Sequence, residues 1–332
     1  MPIIGAKPKQ IPFPEHMFRL KGSHNPIIEH MERLQKNKSY RLERRHCIVQ
    51  GKNDIRALIR DNVPISGLGI SAPEEWWKPN EVLTPAIDVI RNPEKWPATR
   101  QYLVSIDMTR KILGSQARPA KHDLWAEVPF PDIPYPAKGE LKRLICLNHV
   151  NSGQVMGLLI RTARALGWQA AYTMRGSIDF YDPQAICMSR AHTLRFPHIM
   201  GTISGLFTHC AEMELTPIIT TPLPRSQLAN AQPNQLHFWR PDDSVVDPQT
   251  LPKSIAFVVG TKSFRDYDPF ISKNAIYMAL PMPGPQVNSV NVGSLASIGL
   301  FELNRLTGWN TTTQKEAVEL EEEDEDVGFK PF

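Results

Sequence analysis

Three short stretches near the C-terminal end carry residue types that could grip a small ligand. An apolar, β-branched run, Ile255, Val258 and Val259, stops at Gly260, and this reads as a buried strand ending in a tight turn. A second apolar run, Ile276 to Leu280, stops at Pro281-Met282-Pro283-Gly284. Ser289, Val290, Asn291 and Val292 then lead into a helix whose apolar residues Leu295, Ile298, Leu300 and Phe301 keep roughly helical spacing. The chemistry on offer is that of the backbone. Glycine-bearing loops approach a ligand closely because Gly lacks a Cβ, and the first turn of a helix offers unpaired N–H groups. Two strands ending in such loops, beside a helix start rich in small residues, make a backbone-lined pocket.

This ordered set, apolar strand–Gly, apolar strand–Pro-Met-x-Gly and Ser-x-Asn-Val–helix, resembles the last two motifs of the SpoU/TrmH family of RNA 2′-O-ribose methyltransferases, of the SPOUT superfamily. Leu144–Pro197 is similar to the family's first motif, chiefly through Gly157-Leu158-Leu159-Ile160-Arg161-Thr162-Ala163. The resemblance implies an α/β fold in which a SPOUT-type trefoil-knotted parallel-sheet domain follows a small α/β ribosomal-protein-like RNA-binding domain. It implies S-adenosylmethionine as cofactor, held by Thr221, Gly260, Leu280, Pro281, Met282, Gly284, Ser289 and Val290. It also implies Arg161, Ser289 and Asn291 as the catalytic positions. The reaction would displace a methyl group in line from a sulfonium onto a ribose 2′-hydroxyl. The leaving group is already good, so the protein has to position the partners and help remove the hydroxyl proton. In the family an Arg of the first motif serves that step, and Arg161 matches it.

Departures from the pattern divide the functional reading. Six residues before Arg161 the family has Asn, where this chain has Val155, whose side chain makes no hydrogen bond. Asn148 and Asn151 lie nearby but off register. After Gly260 the family expects Asn-Glu and then Gly, and here Thr261, Lys262 and Ser263 follow. Lys262 reverses the charge where a carboxylate normally sits, and a cation facing a sulfonium would repel it. Two readings stay open. One is an RNA-binding ribosome assembly factor with degenerate catalytic motifs, and the other is an active ribose methyltransferase for ribosomal or transfer RNA. A Rossmann-type metabolic enzyme is set aside, because no Gly-rich turn follows Leu141–Leu147.

The elements that must position these residues fall into a repeated strand–helix order. Leu141–Leu147 reads as a strand, Gly153–Leu166 as a helix, Gln169–Met174 as a strand, Pro183–His192 and Pro197–Met213 as helices, and Pro217–Thr221 as a strand. Such alternation predicts a mostly parallel sheet. The expected division is 1–40 as an extension lying on a partner or neighbouring domain, 41–133 as the substrate-binding α/β domain and 134–139 as linker. The methyltransferase domain would span 140–308 and an acidic tail 309–332. The segment 222–252, polar and Pro-rich, is long enough to carry a partner contact. Both Gly153–Leu166 and Ser289–Leu306 carry more apolar residues than one sheet face needs. That excess predicts a homodimer, or a heterodimer with a related methyltransferase.

Charge points to the partner. The net charge is +4, but the acidic tail masks a basic body, and the first 60 residues alone carry 13 Lys and Arg against 5 Asp and Glu. A basic body is the electrostatic footprint of a phosphate-rich partner. With the resemblance this implies RNA, ribosomal RNA in particular, bound through Arg41, Arg44, Arg45 and Lys52, and ribosomal or assembly proteins as neighbours. The 41% hydrophobic and 22% charged fractions are globular values and exclude wholesale disorder. No apolar run is long enough to span a membrane. The four cysteines and ten histidines show no ligand spacing, so no metal is expected. Thiols without paired spacing fit a reducing intracellular compartment, cytoplasm or mitochondrial matrix. Glu15, Glu29 and Glu32 argue against a transit peptide in the first stretch.

Overall fold

The computed structural model describes residues 15–22, 24–71, 88–90, 92–114, 124–260, 274–282 and 290–309. Two compact units emerge, and they do not follow chain order. One gathers Met1–Pro134, Asn151–Arg161 and Ile178–Arg195, and the other Tyr135–Val150, Thr162–Ser177 and Phe196–Phe332.

The first unit is built on strands β1 (Met17–Leu20), β2 (His46–Gln50), β3 (Gly67–Ser71), β4 (Arg100–Val104) and β5 (Leu124–Pro129), in the order β1-β4-β3-β5-β2. Strands β1, β4 and β3 run parallel, while β5 is antiparallel to both β3 and β2. Helices α1 (Pro26–Lys36), α2 (Lys38–Arg44), α3 (Lys52–Arg60) and α4 (Ile106–Leu113) accompany the sheet. Side-chain alternation along β2 sets the layers. Cys47 and Val49 join a cluster with Ile55 and Leu58 of α3. Ile48, between them, joins Ile28, Met31 and Leu34 of α1.

The reading of residues 1–40 as an extension outside any core is corrected over 17–36. β1 is a sheet strand, and the three- and four-residue spacing of the apolar side chains in α1 buries Ile28, Met31 and Leu34. Asn25 starts that helix by accepting the Ile27 N–H at 3.0 Å, with Pro26 in the first turn. Helix α5 (Gly153–Ala165) begins in this unit, and α6 (Pro183–Met188) lies against it so closely that a Cβ on Gly157 would come 2.5 Å from the Ala185 carbonyl oxygen. Ile186, Ala191 and Leu194 complete the α3-side cluster, and Phe130 stacks on Tyr181.

The second unit is a seven-stranded sheet of β6 (Arg143–Asn148), β7 (Ala170–Met174), β8 (His198–Gly201), β9 (Thr216–Thr220), β10 (His237–Trp239), β11 (Ile255–Gly260) and β12 (Ile276–Ala279). Its order is β10-β12-β9-β11-β6-β7-β8. Every neighbouring pair is parallel except β10 with β12. The expected parallel α/β sheet is therefore present. Strand β6 is buried at every position, as a parallel strand covered on both faces must be. Helices α7 (Ile203–Glu212) and α8 (Val292–Leu306) belong to this unit.

Two expectations for this half change. Pro197–Met213, read as one helix, is β8 followed by α7, with Thr202 between them accepting the Gly205 N–H. Pro183–His192 stops being α-helical at Met188, and Arg190 and Ala191 adopt left-handed backbone. Within 222–252, residues 237–239 add the edge strand β10. At the amino end of β6, Arg143 is fully buried, donating to the carbonyl oxygens of Lys142 and Lys253 and to Thr307 Oγ1. Its guanidinium lies over the Trp309 ring at 4.6 Å, and burial pushes its pKa down to about 10. No helix among the described residues is long and apolar enough to cross a membrane.

Candidate functional site

Parallel α/β sheets bind ligands outside the carboxyl ends of their strands, where neighbouring connections diverge to opposite sides. Here the chain leaves β6 for β7 on one side, while β11 and β9 lie on the other. The divergence therefore falls between the last residues of β6 and β11, Asn148 and Gly260, which are register partners. Gly260 must be glycine there, because a Cβ would lie 2.0 Å from the Asn148 backbone oxygen and 2.7 Å from its Cβ.

The other expected ligand residues cluster at the ends of the adjoining strands. Thr220, the last residue of β9, donates its hydroxyl to Val258 O at 3.1 Å, and the Thr221 N–H reaches Met278 O at 3.0 Å. Thr221 Oγ1 is shielded from solvent and has no hydrogen-bond partner among the described residues. Leu280 and Met282 are half-buried and Pro281 is buried just past β12. The Pro281 carbonyl accepts the Asn234 N–H at 3.2 Å, which ties the 222–252 segment to this loop. Val290 is half-buried, and Asn291 N-caps α8, its Oδ1 accepting the Ser294 N–H at 2.8 Å. Asn291 therefore already has a structural task, with its amide Nδ2 facing away from that bond. Gly284, Ser289 and Lys262 lie outside the described residues.

Arg161 sits on α5 in the first unit, exposed, and makes no hydrogen bond or ion pair among the described residues. It belongs to a charged group that the spacing did not reveal. Asp54 of α3 pairs with Arg190 at 3.0 Å, and Asp61 with Arg195 at 2.7 Å. Burial raises the Asp54 carboxyl above its ordinary value, against the pull of Arg190, Arg195 and Arg161. Val155, half-buried, donates its backbone N–H to Ser152 Oγ at 3.4 Å. Asn148, the register partner of Gly260, has its Oδ1 2.7 Å from His149 Nδ1.

Of the four cations expected to meet RNA, one is corrected. Arg41 is 3% exposed, ion-paired with Asp179 at 3.2 Å and Asp182 at 3.8 Å, and donates to the carbonyl oxygens of Leu34 and Gln35. A guanidinium so enclosed has no path to a phosphate. Arg44 and Arg45 are exposed and Lys52 is half-buried. The excess apolar surface expected on two helices is also smaller than read. Met156, Leu159, Ile160 and Leu300 are fully buried within the chain itself. Exposed instead are Leu158 on α5 and Ile298 and Phe301 on α8, the last at 56%. Among the described residues no group of three or more His, Cys, Asp or Glu could hold a metal ion.

No protein-family model and no curated protein matches this sequence. Solved structures do match its fold. An RNA 2′-O-ribose methyltransferase is 19% identical, with TM-score 0.61 over 87% of this chain and 99% of that one. An AdoMet-bound rRNA methyltransferase from Sinorhizobium meliloti is 15% identical, with TM-score 0.63 over 87% of this chain and 98% of its own. The SpoU methyltransferase AviRb from Streptomyces viridochromogenes, solved with AdoMet, is 16% identical, with TM-score 0.61 over 85% and 98%. The chain has the mixed α/β, parallel-sheet fold of these enzymes across most of its length.

Proposed function

We propose that this chain belongs to the SpoU/TrmH family, binds S-adenosylmethionine at the carboxyl ends of β9, β11 and β12, and serves as an rRNA-binding assembly factor whose catalytic motifs have degenerated. The trefoil knot, the ribosomal RNA partner and a dimer are parts of this reading. The observation that carries it is the junction of Gly260 with Asn148, where a missing Cβ keeps two strand ends together at the divergence point of the sheet. Among the described residues at these strand ends, Thr220, Thr221, Gly260, Leu280, Pro281, Met282, Val290 and Asn291 carry no charged side chain, which suits a sulfonium ligand. The orphaned Thr221 Oγ1 is a shielded hydroxyl still in need of a partner.

When bound, S-adenosylmethionine supplies an electrophilic methyl group. Around it the chain contributes backbone groups at Gly260 and Met282 and a hydroxyl at Thr221, all of which hold and orient. The resemblance expects an amide side chain where the chain has Val155, and loss of one positioning contact commonly costs on the order of 3 kcal/mol in the barrier. Weak binding with little methyl transfer is the expected combination. A second reading, an active methyltransferase, is favoured by Arg161, exposed and without an ion pair among the described residues, as a group awaiting a substrate would be.

Calorimetric titration with S-adenosylmethionine, beside mapping of ribose methylation in rRNA from depleted cells, separates the two. The assembly-factor reading expects weak heat of binding and an unchanged methylation map, with ribosomal precursors accumulating. One methyl group lost on depletion, and restored by the wild-type chain but not by Arg161→Ala, would establish the enzyme instead. Ile298 and Phe301, exposed on α8, are the surface from which a dimer is proposed. Sedimentation of the protein against an Ile298→Glu/Phe301→Glu variant tests it.

A further inference from the structure

A second concavity opens at the other side of the divergence point, where β6, β7 and β8 end. It is a cavity of about 150 Å³ lined by Asn148, His149, Met174, Arg175, Thr202 and Ile203, all within the second unit. A cavity of about that volume takes one ring-sized group, the scale of a sugar or a phosphate. Its lining is divided by chemistry. Met174 and Ile203 are apolar, while Asn148, His149, Arg175 and Thr202 bring an amide, an imidazole, a guanidinium and a hydroxyl.

The polar side is built by the chain's geometry. His149 takes a left-handed backbone conformation. The open space left by Gly176 admits its ring, for a Cβ there would lie 3.2 Å from the imidazole. Asn148, 1% exposed, fixes the ring from the other side through Oδ1 at 2.7 Å from Nδ1. Arg175 is exposed and makes no side-chain hydrogen bond or ion pair among the described residues. It is held at the rim by its own N–H, which bonds to Gly201 O at 2.9 Å. An uncompensated guanidinium over a small half-apolar cavity matches one chemical class well. A ribose lays its C–H face on thioether and alkyl groups and turns its hydroxyls to amide and hydroxyl partners. The attached phosphate takes the guanidinium fork.

We infer that this cavity is a subsite for one ribose-phosphate unit of an RNA strand, next to the junction of Gly260 with Asn148. The inference rests on the RNA-binding reading above and specifies where one backbone unit of that RNA is held. Asn148 belongs to both places, because it lines the cavity and is the register partner of Gly260. A strand entering here is therefore carried up to the divergence point.

The test uses the full chain with a fluorescent ten-nucleotide oligouridine, its deoxy counterpart, and S-adenosylmethionine as a control ligand. Two variants probe the subsite: Arg175→Gln removes the charge at an exposed position, and Ile203→Phe fills the apolar side. The expected result for Arg175→Gln is a salt dependence of oligouridine binding shallower by about 0.7 in log–log slope, the share of one single-strand phosphate. Ile203→Phe is expected to weaken oligouridine about tenfold with the slope kept, and to erase the preference for ribose over deoxyribose. Arg175→Gln should keep the thermal midpoint of the wild type, and both variants its S-adenosylmethionine affinity. Wild-type slope and affinity in both variants would overturn the subsite and leave the RNA reading standing. Failure of the wild-type chain to bind either oligonucleotide would overturn both.

Discussion

Replacing Arg41 by Ala separates a structural cation from an RNA contact. Arg41 is 3% and Asp179 7% exposed, with 3.2 Å between their charged atoms. Truncation leaves the Asp179 carboxylate buried beside Asp182 with no cation in contact among the described residues, and takes donors from the Leu34 and Gln35 carbonyls. Breaking a buried pair from one side typically costs 3–5 kcal/mol, because the remaining charge keeps its desolvation penalty. Against a total stability of about 5–15 kcal/mol that is a large fraction. Removing both ends with Arg41→Met and Asp179→Leu should cost less than the two single changes added, since the more buried carboxylate is no longer stranded and only the partly exposed Asp182 loses its cation. Urea unfolding of the four proteins closes the cycle, and RNA titration across salt concentrations of whatever remains folded gives the second readout. A loss under about 1 kcal/mol for Arg41→Ala, or additive single changes, would refute the burial argument. A shallower salt slope in a fully stable Arg41→Ala protein would return the residue to the RNA surface.

Three further outcomes are expected. Gly260→Ala puts a methyl group against the Asn148 backbone, so it should destabilise by on the order of 1–3 kcal/mol and abolish S-adenosylmethionine binding, read by unfolding and calorimetry. Neutralising Arg44, Arg45 and Lys52 together should flatten the salt dependence of RNA binding without lowering stability; an unchanged slope would remove this edge from the RNA surface. His198, His209 and His237 are each held below the ordinary imidazole value by burial. The unfolded chain then binds more protons below about pH 6.5, so stability should be full above that pH and fall as the medium is acidified toward the depressed values. Unfolding midpoints that rise on mild acidification would contradict this.

Legibility from the sequence followed the physics of each segment. Strands β6, β7 and β11 announce themselves as short apolar runs bounded by polar or glycine residues, because a strand buried on both faces needs nothing else. The start of α8 was readable as well, from Asn291 ahead of its apolar residues. Strand β8 was not, since Ile199, Met200, Ile203 and Leu206 form a continuous apolar series in which Thr202, capping α7, was the overlooked break. Strand β1 is four residues long and pairs with β4 across the sequence, so no local pattern betrays it. Asn25-Pro26 did mark the start of α1. The role of Arg41 depends on Asp179, 138 residues away, and no spacing rule connects them. Motif alignment left Asn148 off register, because its place at the end of β6 beside Gly260 comes from which strands stand side by side.

The side-by-side placement of β6 and β11 also governs when this protein can fold. Arg143 and Lys253 meet at the base of that pair although 110 residues separate them. Closing so long a loop before any local reward makes the central pairing slow. At a synthesis rate of about 5–20 residues per second, β6 would wait at least several seconds on the ribosome for its neighbour, with one apolar edge open. The five-stranded unit is delayed as well, because its core takes Ile186, Ala191 and Leu194 from the far side of β7. Neither half is complete when its own first strands emerge. A nascent chain of this kind leaves strand edges unpaired until the last third of the sequence arrives.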